Sequence, residues 1–150
     1  MGTFGILIRI MKRLFSLIVL LTAVLCNVSA QDKDLNDDIR SFITRMYEGK
    51  LYENYDFLQE NCSAELLKKL QDAYPYDANG VAYATWLFRS SQQDSKPESN
   101  GESCMVEVKN DNGDWYIYRA IDMGWKFTKR IKVFNKNGKI VISDICPVKD

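Results

Sequence analysis

The chain contains no histidine. Ser-His-Asp and Cys-His nucleophile systems and the usual histidine-bearing zinc sites are therefore excluded, because each needs an imidazole as base or ligand. Net charge is missing too: 20 basic side chains balance 20 acidic ones over 150 residues. No P-loop, dinucleotide fingerprint or internal repeat occurs. The longest apolar run, Leu14 to Leu25, has about 12 or 13 residues against the roughly 20 that a bilayer-crossing helix needs, so no permanent membrane anchor is expected.

That run follows Arg9, Lys12 and Arg13 and precedes the small residues Val28-Ser29-Ala30. The order is that of a secretory signal peptide over 1–30, with cleavage expected after Ala30 and export to the periplasm or outside the cell. Met11 opens a more usual signal sequence than Met1 does. Cys26 invites a lipoprotein reading, which the bulky Leu25 before it disfavours. Removing 1–30 takes away three basic residues and no acidic one, so the apparent neutrality conceals a net charge of −3 over 31–150. A chain of that size suits one domain with one core.

Three cysteines remain, Cys62, Cys104 and Cys146. In an oxidising compartment they predict one disulfide and one buried thiol, and their wide spacing matches no clustered metal motif.

Leu35, Ile39, Phe42, Ile43 and Met46 form the apolar stripe of a first helix, with aspartates crowding its start and Gly49 at its end. Leu51, Tyr52, Tyr55 and Leu58 continue a helical period, and Ser63 offers an N-cap for a helix over 64–73. Residues 74–101 carry turn signals and an ambiguous apolar stretch from Val81 to Phe88, and read mainly as a loop that could act as a lid or rim. From Glu102 onward, four strands separated by Asn112-Gly113, Asp122-Met123-Gly124 and Asn137-Gly138 predict an antiparallel meander. The fold class is therefore α+β, with N-terminal helices packed on a four-stranded sheet.

A three-residue middle turn and two-residue outer turns place Ile121 opposite Trp125 and Ile131 opposite Asp144. Val106, Val108, Trp115, Ile117, Ile121, Trp125, Phe127, Ile131, Val133, Ile140 and Ile142 then share the inner face. Arg119, Lys129 and Asp144 would share it as well, which predicts either a salt-bridged sheet end or a pocket whose charges orient an anionic ligand. Tyr76, Trp86 and Arg89 supply the rim. In the same register Cys104 and Cys146 lie about 14 Å apart on the first and fourth strands, too far for a disulfide. Cys62 is then the shared candidate partner, with Cys146 favoured.

Between Arg119 and Lys139 there are seven basic residues and one acidic, leaving ten basic against nineteen acidic in the remainder of 31–150. The resulting row of Lys126, Arg130 and Lys132 with Tyr116 and Tyr118 could meet an anionic surface, but an exported acidic protein is not expected to bind nucleic acid. Asn110-Asp111-Asn112-Gly113-Asp114 lacks the later glutamate of a calcium loop and reads as a hairpin turn, so no metal or other cofactor is expected. Asn61-Cys62-Ser63 matches a glycosylation sequon, relevant only in a eukaryotic secretory pathway.

Tyr47 and Tyr55 on helical faces, Tyr76-Asp77, Trp86-Leu87-Phe88-Arg89 with Gln93-Asp94, and Asp122-Met123-Gly124-Trp125 in a hairpin resemble small exported bacterial proteins of a family of unknown function. Those proteins are similar in turn to the nuclear transport factor two-like superfamily, cystatin-like α+β cones in which helices close over a curved sheet. The resemblance implies a pocket inside the cone. It further implies either a binding module or a small isomerase or lyase with an Asp or His base and a Tyr donor. The absence of histidine favours a non-enzymatic module for a small molecule or surface partner, as monomer or homodimer. An enzyme using a buried Asp and a structural or inhibitory interaction protein are the alternatives.

Overall fold

Among the described residues, four α-helices and one 3-10 turn precede a four-stranded antiparallel sheet in strand order β1-β2-β3-β4. The computed structural model describes residues 35–148, so the signal peptide expected over 1–30 lies outside the described residues. The described residues from Asp38 onward form a compact unit. Among the described residues, no helix is long and apolar enough to cross a membrane.

Helix α1 covers 35–48 and buries Ile39, Phe42, Ile43 and Met46 along the expected stripe. Gly49 follows it, its amide donating to the Arg45 carbonyl at 2.9 Å. The next helical period is broken in two, a 3-10 turn over Leu51–Glu53 and α2 over Tyr55–Asn61. Asn54 causes the break by capping α2, its side chain accepting from the Phe57 amide at 3.1 Å. Helix α3, Ala64–Ala73, starts at Ser63, whose hydroxyl accepts from the Leu66 amide at 3.2 Å.

Residues 74–101 are mainly turn and loop, as expected, but they enclose one helix. Val81–Phe88 forms α4, with Ala84, Leu87 and Phe88 buried. Its start is held by Asp77, whose carboxylate accepts from the amides of Ala82 and Tyr83 at 2.7 and 3.3 Å. An acidic cap four or five residues upstream is a weak signal, which is why the apolar run alone could not distinguish helix from strand.

The strands are β1 Cys104–Asn112, β2 Trp115–Asp122, β3 Trp125–Lys136 and β4 Lys139–Pro147. The meander has the expected order, but its register differs. Asp122 pairs with Trp125, so the middle turn is the two residues Met123 and Gly124. Both have positive φ, 49° and 84°, the backbone twist that suits a tight hairpin. Methionine rarely adopts that conformation, so the sequence points to a longer turn. One residue of slip reverses a strand. Tyr116, Tyr118, Ala120 and Asp122 therefore face the core, while Ile117, Arg119 and Ile121 turn to the other face. Val106, expected inside, is exposed.

On β3 the expected face holds, with Lys129, Ile131 and Val133 buried. On β4 a bulge lies between the pairs Val133–Ile142 and Lys132–Asp144. Ser143 is the extra residue, and beyond it Ile145 rather than Asp144 pairs with Ile131. The core between helices and sheet is rich in aromatics: Tyr52 stacks on Phe88 with ring centroids 5.8 Å apart, and Tyr47 packs against Tyr118 and Phe127.

Candidate functional site

Two charged side chains are buried on the inner face of the sheet, Asp122 at the end of β2 and Lys129 in β3. Both lie beside the C-terminal end of α4 and the residues that follow it.

Asp122 is saturated with donors. Arg89 reaches it through Nε at 3.1 Å and Nη2 at 3.0 Å, in the two-pronged geometry that suits a carboxylate. The Ser90 hydroxyl donates at 2.7 Å, the Ser90 amide at 3.3 Å and the Ser103 hydroxyl at 3.4 Å. Burial alone would raise the carboxyl's pKa. The hydrogen bonds from Arg89 and Ser90 and the guanidinium charge outweigh it, and the net shift is below the ordinary 3.8.

The tyrosines around this clasp are also committed. Tyr47 donates its hydroxyl to the Ile121 carbonyl at 2.8 Å, and Tyr118 donates to the Phe88 carbonyl at 2.8 Å. Burial pushes the phenols of Tyr47, Tyr52 and Tyr118 upward, so all three stay protonated at ordinary pH.

Lys129 is in the opposite condition. Among the described residues no carboxylate pairs with it, and its ammonium lies 5.9 Å from the ring centroid of Trp86. That is the outer limit of a cation–π contact. Burial lowers its pKa from the ordinary 10.5, and the Cys146 thiol opposes the shift. The side chain lines a cavity of about 320 Å³ in which the apolar Trp86, Leu87, Phe127, Pro147 and Val148 alternate with Ser90, Ser91, Lys126 and Thr128. Across Trp86 is a second hollow of about 270 Å³, bounded by Arg89, Gln92 and Met123.

The segment beyond α4 is tied to the β2–β3 turn. The Lys96 amide donates to the Met123 carbonyl at 2.9 Å, Ser99 donates its hydroxyl there at 3.0 Å, and Trp125 Nε1 donates to the Asp94 carbonyl at 2.9 Å. The closest approach is at Gly124: a Cβ there would lie 2.3 Å from Ser99 Cβ, so only glycine fits.

Of the residues singled out in the sequence, the fold brings Lys129 and Trp86 together, with Arg89 nearby on the other side of that ring. Arg119 is not with them. The register turns it to the opposite face, where it pairs with Glu107 at 2.8 Å. Asp144 is displaced by the bulge and meets Lys69 of α3 at 3.3 Å. Tyr76 is fully exposed. The Asp122–Arg89 clasp had no signal in the sequence, where Asp122 reads as part of a turn and Arg89 lies 33 residues away.

The expected disulfide is absent, and Cys62, Cys104 and Cys146 are free thiols. Cys62 lies against Ile142 of β4. Four strand residues, about 13 Å, separate that point from Cys146, too far for a bridge. Burial pushes the Cys62 thiol up to about 12, which makes it inert at ordinary pH.

No protein-family model and no curated protein matches the chain. Among solved structures, its fold is similar to that of a protein of unknown function from Bacteroides thetaiotaomicron VPI-5482, a crystal structure at 2.10 Å resolution. The two are 16% identical with a TM-score of 0.52, over 83% of this chain and 99% of that one. At that identity the likeness is one of fold alone: helices followed by an antiparallel sheet.

Proposed function

We propose that the protein is an exported, non-enzymatic module that holds a small ligand between α4 and the sheet, in a fold of the nuclear transport factor two-like kind. The carrying observation is the cavity of about 320 Å³ walled by Trp86, Leu87, Phe127 and Lys129. It is at the small end of the range for ligand sites.

Export is supported by the charged, apolar and small-residue segments of 1–30. The superfamily resemblance is supported by the order of helices then meander and by the aromatic motifs of the sequence. The non-enzymatic reading follows from the donors. A general base needs a free carboxylate with a pKa near the working pH, whereas Asp122 is neutralised by Arg89 and Ser90 and shifted the other way.

The test begins with expression of the full chain in a bacterial host, followed by fractionation and N-terminal sequencing of the product, with Gln31 expected first. A thermal-shift screen of that product against small anions, lipids, sterols and glycan fragments follows. A ligand at roughly a hundred times its dissociation constant adds about 2.7 kcal/mol, several degrees in a domain of this size. A screen without any hit would move the reading to a protein partner.

A further inference from the structure

We propose that the α4–β3–β4 cavity selects a monoanion with an apolar body, a hydrophobic carboxylate, with Lys129 as the residue that binds its charge. This inference rests on the pocket reading above and names the ligand's chemical class.

Charge matching is the first argument. Lys129 retains only 4% of its surface, and no carboxylate among the described residues compensates it. A buried ammonium without a counter-ion is costly, and a single negative charge delivered by a ligand removes that cost. The neighbouring guanidinium cannot contribute, because Arg89 is engaged with Asp122 through two nitrogens. Of the two lysines in the lining, Lys126 is exposed and solvated while Lys129 is buried, so the uncompensated buried charge calls for a single anionic group.

The walls supply the second argument. Beside Lys129 the lining is mixed: the rings of Trp86 and Phe127 and the aliphatic surfaces of Leu87, Pro147 and Val148 make one part of it, and Ser90, Ser91, Lys126 and Thr128 the other. Two of these polar groups are already used: the Ser90 hydroxyl donates to Asp122 and the Ser91 hydroxyl to the Trp86 carbonyl. An apolar body therefore displaces water from the part of the wall made by Trp86, Leu87, Phe127, Pro147 and Val148, while its anionic head meets Lys129.

The test is calorimetric titration of the exported protein with octanoate, 2-naphthoate and indole-3-acetate, each beside its neutral amide, and with 2-naphthyl phosphate. At least one acid is expected to bind ten-fold or more tighter than its amide and tighter than the phosphate ester. Lys129→Met, with its circular dichroism unchanged, is expected to lose that preference, and Lys129→Arg to keep part of it. Should Lys129→Met fail to fold, Lys129→Arg against the same acid–amide pairs, with chemical-shift mapping of the Trp86 indole, gives the answer. Amides that bind as well as acids, or a phosphate that binds best, would overturn the monoanion assignment and leave the pocket intact. If no compound binds or moves the Trp86 signal, the assignment and the pocket reading both fall.

Discussion

Asp122 and Lys129 are equally buried and separated by a few positions across one hairpin, yet their surroundings are opposite. Asp122 meets donors from Arg89, Ser90 and Ser103, and Lys129 meets the face of one ring. The first arrangement is a fastener joining the end of α4 to the end of β2. The second leaves a charge that no described residue meets, beside a cavity. A buried charge is thus no mark of a binding site in itself; what its environment leaves uncompensated is.

The comparison breaks most visibly at the fastener. Asp122→Ala strands a guanidinium and two hydroxyls, and because Arg89 keeps about a quarter of its side-chain exposure the loss should be about 3 kcal/mol in urea unfolding, at the lower end for a broken buried pair. A loss under about 1 kcal/mol would reduce the clasp to a surface contact. Gly124→Ala should cost about 2 kcal/mol through its positive φ and its approach to Ser99. Adding Ser99→Gly should recover the steric part, which a double-mutant cycle reads directly.

Lys129→Met should go the other way and stabilise the fold by about 1 kcal/mol, at the expense of ligand binding. Its pH dependence sharpens the point. The folded pKa of Lys129 lies below 10.5, so between the two values the unfolded chain holds more protons and wild-type stability should rise with pH there, which Lys129→Met should not do. The smallest effect is at the acid end. Asp122 titrates below 3.8 when folded, so its contribution is present above that value and is lost as pH falls through the folded pKa. Asp122→Asn should flatten the wild-type acid-unfolding slope in that region.

Local signals carried much of this fold. The Ser63 cap, the apolar stripe of α1 and the Asn137-Gly138 turn are each encoded within a few residues, and each occurs where the sequence puts it. The register of β2 was not legible, because Met123 takes a conformation its side chain does not advertise and the length of that turn decides which face every β2 residue occupies. The consequence for the site was selective. Lys129 is counted from the β3 side of the error and kept its face, whereas Arg119 is counted from the β2 side and lost it. Asp144 was misplaced by the bulge, and Asp122, the best-coordinated carboxylate of the inner face, was hidden inside what read as a turn.

Ser143 deserves a last deduction, as the residue by which β4 exceeds its partner. Strand alternation has a phase, and an extra residue resets it; Ile142 and Ile145, three apart, can both point inward only because Ser143 stands between them. Its hydroxyl is buried without a partner, so it contributes spacing and little else. Deleting Ser143 would close the bulge and leave every other β4 pairing in place. Deleting Val141 instead would shift the β3–β4 hairpin by one step, so length variation in this strand is tolerable at one codon and disruptive at its neighbours.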